Sequence, residues 1–204
     1  MATAFMVIAL LALVGCGPTV SPTPEPTVSP SPAPPLPTTA APSTAAPSSP
    51  GAKGAVAIDA TLLEVLPAAV DGLPMTESPE AEAAAFDDPQ LATVGTAIVA
   101  GIAVDATTGE FVYAVVVRLL PGAMDDGVFR DWRDSYDVGA CSQANGVSGN
   151  AQAQIVGRTV YVGTCAGGVR TYHVWLEAQG LLVSASAVGD RRFGEILMKT
   201  LRVP

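Results

Sequence analysis

One histidine and two serines are the side chains whose types and spacing could carry acid–base chemistry in this chain. His173 is the single histidine, and it lies in 171–176, where alternation predicts a strand. The next predicted strand carries Ser184 and Ser186, so a Ser-His-Asp set can be imagined there. However, no Gly-x-Ser-x-Gly elbow is present, and a serine within a strand lacks the exposed turn and oxyanion donors that acyl transfer needs. We therefore interpret His173 as a satisfied or solvent-facing sheet histidine and predict no catalytic residue.

Acidic pairs offer a second kind of chemistry, the binding of a cation. Asp87-Asp88 and Asp125-Asp126 each stand where a helix needs an N-cap, and neither pair has the spacing of a calcium loop. One histidine without a Cys-x-x-Cys motif is too little for an ordinary zinc site. The sequence therefore predicts no metal ion and no cofactor.

Charge is distributed unevenly along the chain, whose formal net charge is −9. Residues 54–126 carry twelve acids against a single arginine, whereas residues 127–204 carry eight bases against six acids. Two interpretations stay open for four of these bases. Either they meet the acidic half within the fold, which we favour, or they form a patch for an anion or a partner, consisting of Arg158, Arg170, Arg191 and Arg192. Arg191 and Arg192 are predicted in the first turn of the last helix, where the helix dipole disfavours cations.

The first residues predict the compartment of the protein. An apolar run at 4–14 suits the core of a signal peptide and is too short to span a bilayer, which takes about 20 residues. It leads into Leu13-Val14-Gly15-Cys16, which resembles the lipobox of bacterial lipoproteins. The resemblance implies cleavage before Cys16 and a diacylglyceryl group on its sulfur. The mature protein would then be attached to the extracytoplasmic face of the cell membrane.

The segment after the lipobox predicts a spacer. Residues 17–50 are almost entirely Pro, Ser, Thr and Ala, with Glu25 as their only charge. Repeated Thr-Pro and Ser-Pro steps favour polyproline II, which builds no core and reaches on the order of 100 Å here when fully extended. O-linked glycosylation of this segment is a further hypothesis. The predicted organisation is a signal peptide at 1–15, a lipidated Cys and disordered linker at 16–53, and one globular domain at 54–204.

The predicted elements of that domain give its fold class. Helices are expected after Asp59 and at 79–86, with a short helical turn up to Val94, followed by a β-hairpin. An amphipathic helix at 125–136 follows, with Arg133 and Asp137 on its solvated face. After a glycine-rich loop at 139–153 come four short strands, at 154–156, 159–163, 169–177 and 181–187, and a last helix capped by Asp190. This order predicts an α+β domain with an antiparallel sheet of about six strands packed with helices. The layout is similar to the Mog1/PsbP-like sandwich.

Two cysteines remain once Cys16 is assigned to lipid. In an oxidising compartment, a bond between Cys141 and Cys165 would close a loop of about 25 residues and stabilise the fold by roughly 3.5 kcal/mol. A redox or nucleophilic thiol would need a neighbour that favours the thiolate, which the sequence does not show. We therefore predict a structural disulfide.

The function that these observations favour is non-enzymatic. The first hypothesis is a lipid-anchored envelope protein that binds or scaffolds something outside the cell, either an envelope protein or a small ligand. One alternative is a hydrolase with unrecognised residues in the 139–153 loop, and another is a small-ligand carrier or sensory domain. A large enclosed apolar pocket would favour the carrier. The acidic net charge argues against nucleic acid as a partner.

Overall fold

The computed structural model describes residues 56–86 and 88–203. The predicted leader, Cys16, the linker and Asp87 lie outside the described residues. Within the described part of the chain, no helix combines the length and the apolar character needed to cross a membrane.

The domain mixes strands and helices, as an α+β fold requires. The strands are β1 (Ala57–Ile58), β2 (Ala69–Val70), β3 (Leu73–Pro74), β4 (Thr76–Glu77), β5 (Gly95–Val104), β6 (Phe111–Leu119), β7 (Val147–Ile155), β8 (Arg158–Cys165), β9 (Arg170–Leu176) and β10 (Leu181–Val188). The α-helices are α1 (Pro79–Phe86), α2 (Leu91–Val94), α3 (Asp126–Cys141) and α4 (Phe193–Thr200). Short 3-10 helices cover Ala60–Val65 and Glu177–Gln179.

One large sheet organises the domain. Its strands lie in the order β1-β5-β6-β10-β9-β8-β7, and β4 pairs with β5 as an eighth strand. All of these pairs are antiparallel except β1 with β5. The predicted sheet of about six strands is too small, because the two-residue strands β1 and β4 carry no alternation that a sequence pattern could reveal. The predicted hairpin is confirmed as β5 and β6.

The central strands are covered on both faces, which explains their continuous apolar sequence. In β6, Val112 and Val116 are fully buried on one face, and Val115 and Val117 are almost fully buried on the other. The first face packs against α4 and the first 3-10 helix through the apolar side chains Leu62, Leu66, Phe193 and Leu197. The second face packs against α1, α2 and α3. Each fully buried aliphatic or aromatic side chain contributes about 1.5–3 kcal/mol.

The predicted loop at 139–153 is wrong. Helix α3 continues to Cys141, and β7 starts at Val147. Glycine at 139 disfavours a helix, and so the sequence signal ended early. The predicted strand at 154–156 is only the end of β7, and residues 147–153 were not recognised as strand because β7 is the outer strand of the sheet and most of its residues are exposed. Its small polar residues therefore lack the alternation that marks a half-buried strand.

The predicted start of the last helix is also wrong. Helix α4 begins at Phe193, and Arg192, not Asp190, stands at its N-cap position. Arg192 has φ 57°, a left-handed conformation that L-residues rarely adopt. Arg191 and Arg192 consequently precede α4 and do not lie in its first turn.

Candidate functional site

An open groove lies between α1 and α3, above the face of the sheet formed by β5 and β6. Its volume is about 770 Å³. Four sheet side chains form its floor: Ile102, Phe111, Tyr113 and Val115. One wall is the α1 alanines Ala81, Ala84 and Ala85, and the other is the α3 residues Trp132, Ser135, Tyr136, Gly139 and Ala140. We call this feature the α1–α3 groove.

The groove exists because the side chains of α1 are too small to fill the space over the sheet. Three of the α1 positions that line the groove are alanines, Ala81, Ala84 and Ala85, whose methyl groups leave Phe111 and Tyr113 only half-buried. The helix is nevertheless held at a fixed place. Glu82 is buried, and its Oε1 accepts a hydrogen bond from the backbone N–H of Ala100 in β5 at 3.1 Å. Because this hydrogen bond fixes α1 against β5, the groove is a permanent feature of the packing between α1 and the sheet.

Two tyrosines supply polar groups to the groove. The rings of Tyr113 and Tyr136 stack with their centroids 6.4 Å apart. The hydroxyl of Ser186, on β10, donates a hydrogen bond to the hydroxyl of Tyr136 at 3.2 Å. Burial raises the pKa of Tyr113 and raises the pKa of Tyr136 well above its ordinary value, so both phenols keep their protons.

A buried polar network lies under α3. The Nε1–H of Trp132 donates to Ser184 Oγ at 2.9 Å, and Ser184 Oγ lies 2.9 Å from His173 Nδ1. On the other side of the ring, His173 Nε2 lies 2.9 Å from a carboxylate oxygen of Asp137. The hydroxyl of Thr171 also donates to Asp137. One tautomer, with the hydrogen on Nε2, satisfies every donor and acceptor in this chain of contacts.

This network brings together a serine, a histidine and an aspartate, yet its geometry does not suit acyl transfer. Ser184 is only 1 % exposed, so a substrate cannot reach its hydroxyl. Its strand, β10, is paired on both sides, and the ladder occupies the backbone N–H groups that an oxyanion would need. His173 is thus a hydrogen-bonded sheet histidine, one of the two alternatives given by the sequence.

Asp137 was predicted on a solvated face, and that prediction is wrong. Its carboxylate borders a small polar cavity of about 210 Å³, which is also lined by Arg133, Asn150, Gln152 and Tyr161. Burial alone would raise the pKa of Asp137. The hydrogen bonds from His173 and Thr171 outweigh burial, so its pKa lies below the ordinary 3.8.

The four arginines of the predicted patch do not converge on one place. Arg158 donates to two backbone carbonyls at the end of α4, at 3.1 and 3.5 Å. Arg170 and Arg192 each lie 3.4 Å from Glu195 Oε1. Arg170 and Arg192 also line an open depression of about 510 Å³, so a role for these two in anion or partner binding stays a hypothesis.

Arg191 joins the acidic half of the domain to the last helix. Its Nε lies 2.9 Å from a carboxylate oxygen of Asp71, and its Nη1 lies 2.6 Å from one of Asp105. The guanidinium also lies over the ring of Phe193, 4.8 Å from the centroid. These contacts favour the interpretation that this base compensates acids within the fold.

Replacing Arg191 with alanine should therefore lower the Tm of the protein. Arg192→Ala is a matched control, because the Arg192 side chain is 70 % exposed and has one longer ion pair. We expect a clearly smaller change in Tm for this control in thermal denaturation followed by circular dichroism. An equal loss for both variants would contradict the conclusion that Arg191 stabilises the fold through its ion pairs with Asp71 and Asp105.

The predicted cysteine pair is brought together. Cys141 ends α3 and Cys165 ends β8, and their sulfur atoms lie 1.97 Å apart, which is compatible with a disulfide. The acidic pairs were predicted to stand at helix caps and not to bind a cation, and the described Asp88 and Asp125 lie just before α2 and α3. Asp125 Oδ1 accepts hydrogen bonds from two N–H groups at the start of α3, and Asp88 Oδ1 accepts one from Gln90. Among the residues that the structure describes, no group of three His, Cys, Asp or Glu could hold a metal ion.

Similarity to known proteins does not assign a family to the chain. No protein-family model, no curated protein and no solved structure matches the chain.

Sequence reasoning missed the α1–α3 groove, although two signals for it were present. Helix α1 has three consecutive alanines at 83–85 where a core-facing helix normally carries larger side chains. The odd-numbered face of β6 starts with Phe111 and Tyr113, which are too large for alanines to cover. A mismatch between the sizes of facing side chains is the pattern that predicts such a groove.

Proposed function

We propose that this protein is a lipid-anchored extracytoplasmic binding protein that holds an apolar small molecule in the α1–α3 groove. The observation that carries the proposal is the groove itself, with aromatic and aliphatic side chains on its floor and alanines along one wall. Its volume of about 770 Å³ lies within the range of about 300–1,000 Å³ that is usual for ligand sites.

The polar groups in the groove fit a site for one oriented ligand. Ligand pockets are mostly apolar and contain a few placed hydrogen-bonding groups. The protonated phenols of Tyr113 and Tyr136 are such groups, and Ser186 holds one of them in place. The groove is large and apolar but open, so it meets only part of the criterion for a carrier. Its concave shape and placed polar groups nevertheless favour a small-ligand carrier over a scaffold, which would use a flat exposed surface.

A hydrolase is less well supported than a carrier. The loop at 139–153 that was to hold its residues is instead the end of α3, a turn and the edge strand β7. The one serine–histidine–aspartate arrangement that the described residues form is buried under α3.

The anchor and the compartment are parts of the same proposal. A diacylglyceryl group on Cys16 would hold the domain at the outer face of the membrane, and the Pro-rich linker would let the groove move away from the surface. An oxidising compartment would keep Cys141 and Cys165 as a disulfide, so the wall of the groove formed by α3 would be tied to the sheet at its end.

Filling the groove should abolish binding without harming the fold. In Ala84→Phe, the new ring would occupy the space between α1 and α3, because Ala84 is exposed and faces the groove. We expect at least tenfold weaker binding of N-phenyl-1-naphthylamine, a neutral apolar dye whose fluorescence rises in an apolar site, to the full-length chain carrying Cys16→Ser, which has no acyl groups of its own.

Ala83→Phe is the matched control for this measurement. Ala83 is also exposed on α1 but does not line the groove. This variant should bind the dye as the wild type does, and both variants should keep the wild-type Tm. Equal dye affinities for the wild type and Ala84→Phe would overturn the proposed ligand site.

Replacing Cys16 with serine should release the protein from the membrane. Lipid attachment requires the cysteine sulfur, and no other described feature is proposed to anchor the chain. We expect the wild type in the membrane fraction with labelled fatty acid, and the variant in the aqueous fraction without label. Unchanged labelling and fractionation of the variant would remove the lipoprotein assignment.

A further inference from the structure

Acidic side chains stand at the rim of the α1–α3 groove, and no basic side chain among the residues that the structure describes lines it. Glu80 on α1 and Asp88 just after this helix both border the groove. Among the described residues, neither carboxylate forms an ion pair with a base. The α3 wall adds no positive charge, since it presents Ser135 and Gly139, whereas Arg133 stacks on Tyr161 and lines the polar cavity instead.

The wider surroundings of the groove have the same sign of charge. Residues 54–126, which contribute α1 and the floor, carry twelve acids and a single base, Arg118. That base is itself paired with Asp59 at 3.3 Å. Charges of one sign around a cleft with apolar walls add up, and they raise the local concentration of ligands of opposite charge.

The aromatic side chains that line the groove favour a cationic ligand, as the carboxylates do. Phe111, Tyr113, Trp132 and Tyr136 all border the groove. The faces of aromatic rings attract cations, and quaternary ammonium groups are bound in this way because they shed their water easily. An anionic head group would be repelled by the faces of the rings and by the two carboxylates, and no basic side chain among the described lining residues would attract it.

We propose that the α1–α3 groove selects amphiphiles with a cationic head group, with the apolar tail on the sheet floor and the head near Glu80 and Asp88. This inference rests on the proposed function, because it requires that the groove binds a ligand at all. The inference specifies the sign of the ligand's charge, which cannot be deduced from the volume and apolar character of the groove.

The test compares two probes with the same tail and opposite heads, decyltrimethylammonium and decyl sulfate, each below its micelle concentration. Isothermal titration calorimetry with the full-length chain carrying Cys16→Ser avoids competition from its own acyl groups. We expect about tenfold tighter binding of the cation at low salt, from two carboxylates that each attract one head and repel the other. The preference should shrink at high ionic strength.

Paired variants separate the rim carboxylates from the overall charge. Glu80→Gln with Asp88→Asn should reduce the preference for the cation to within about twofold. Glu64→Gln with Glu77→Gln removes the same charge from exposed positions outside the groove and should leave the preference intact.

Each outcome decides a different claim. Equal affinities for the two probes, or tighter binding of decyl sulfate, would overturn the charge selectivity and leave the proposed function standing. An equal loss of preference in both double variants would overturn the assignment to Glu80 and Asp88. If neither these probes nor the neutral dye binds, the proposed function fails and the selectivity fails with it.

Discussion

Replacing Asp137 with alanine is expected to lower the free energy of unfolding by about 2–4 kcal/mol. The change leaves two buried hydrogen-bond donors, the ring N–H of His173 and the hydroxyl of Thr171, without their acceptor. Water in the adjacent polar cavity can replace part of the lost bonding, which sets the lower end of the range. Urea denaturation at pH 7 measures the difference.

Asp134→Ala is the control for this measurement. Asp134 lies on the same helix, but its side chain is 63 % exposed and pairs only with neighbouring Arg133 at 3.5 Å. We expect a change within about 0.5 kcal/mol for this exposed site. Equal effects of the two substitutions would mean that the network under α3 does not hold the helix to the sheet.

The contribution of Asp137 should also be visible in the pH dependence of the free energy of unfolding. The pKa of Asp137 is lowered in the folded protein, so its contribution is fully present above the unfolded value, near 3.8, and is lost as the pH falls through the folded value. The wild type should therefore lose stability below about pH 4, and the loss should be smaller in Asp137→Ala. Parallel pH profiles for the two proteins would contradict this assignment.

Replacing Cys141 and Cys165 together with serine is expected to cost roughly 3.5 kcal/mol of stability, since the bond would close a loop with a sequence separation of 24. Reductant should destabilise the wild type by a similar amount and leave the variant unchanged. The variant should also bind the apolar dye more weakly, because Gly139 and Ala140 next to Cys141 belong to the groove wall.

Thiol titration provides the control for this prediction. In the unfolded, unreduced wild type we expect no reactive thiol from Cys141 or Cys165. Two reactive thiols, together with an unchanged free energy of unfolding in the double variant, would remove the proposed disulfide.

The elements with strong periodic patterns could be predicted from the sequence. The hairpin of β5 and β6 was marked by β-branched residues around a turn, and α3 was marked by its apolar stripe, which includes Trp132. Strands β1 and β4 were missed because two residues are too short for a pattern. Edge strand β7 was predicted only at its end, 154–156, because both of its faces are largely exposed.

The candidate site was harder to predict because it depends on distant contacts. His173 and Ser184 were placed on neighbouring strands, but only the register of β9 with β10 makes them direct partners. Asp137 follows the stripe residue Tyr136 in α3, and a helical pattern alone assigns such a boundary position to solvent. The groove arises from missing side-chain volume on α1, and a hydrophobic pattern counts alanine as apolar whatever its size.

The central claim is that an apolar ligand occupies the α1–α3 groove, and NMR mapping tests it most directly. Amide shifts of the isotope-labelled full-length chain carrying Cys16→Ser would be followed during titration with N-phenyl-1-naphthylamine. We predict that the largest changes lie in α1, in the first half of β6 and in the second half of α3. Changes confined to the polar cavity near Asn150 or to the depression near Arg170, or no saturable change anywhere, would contradict the claim.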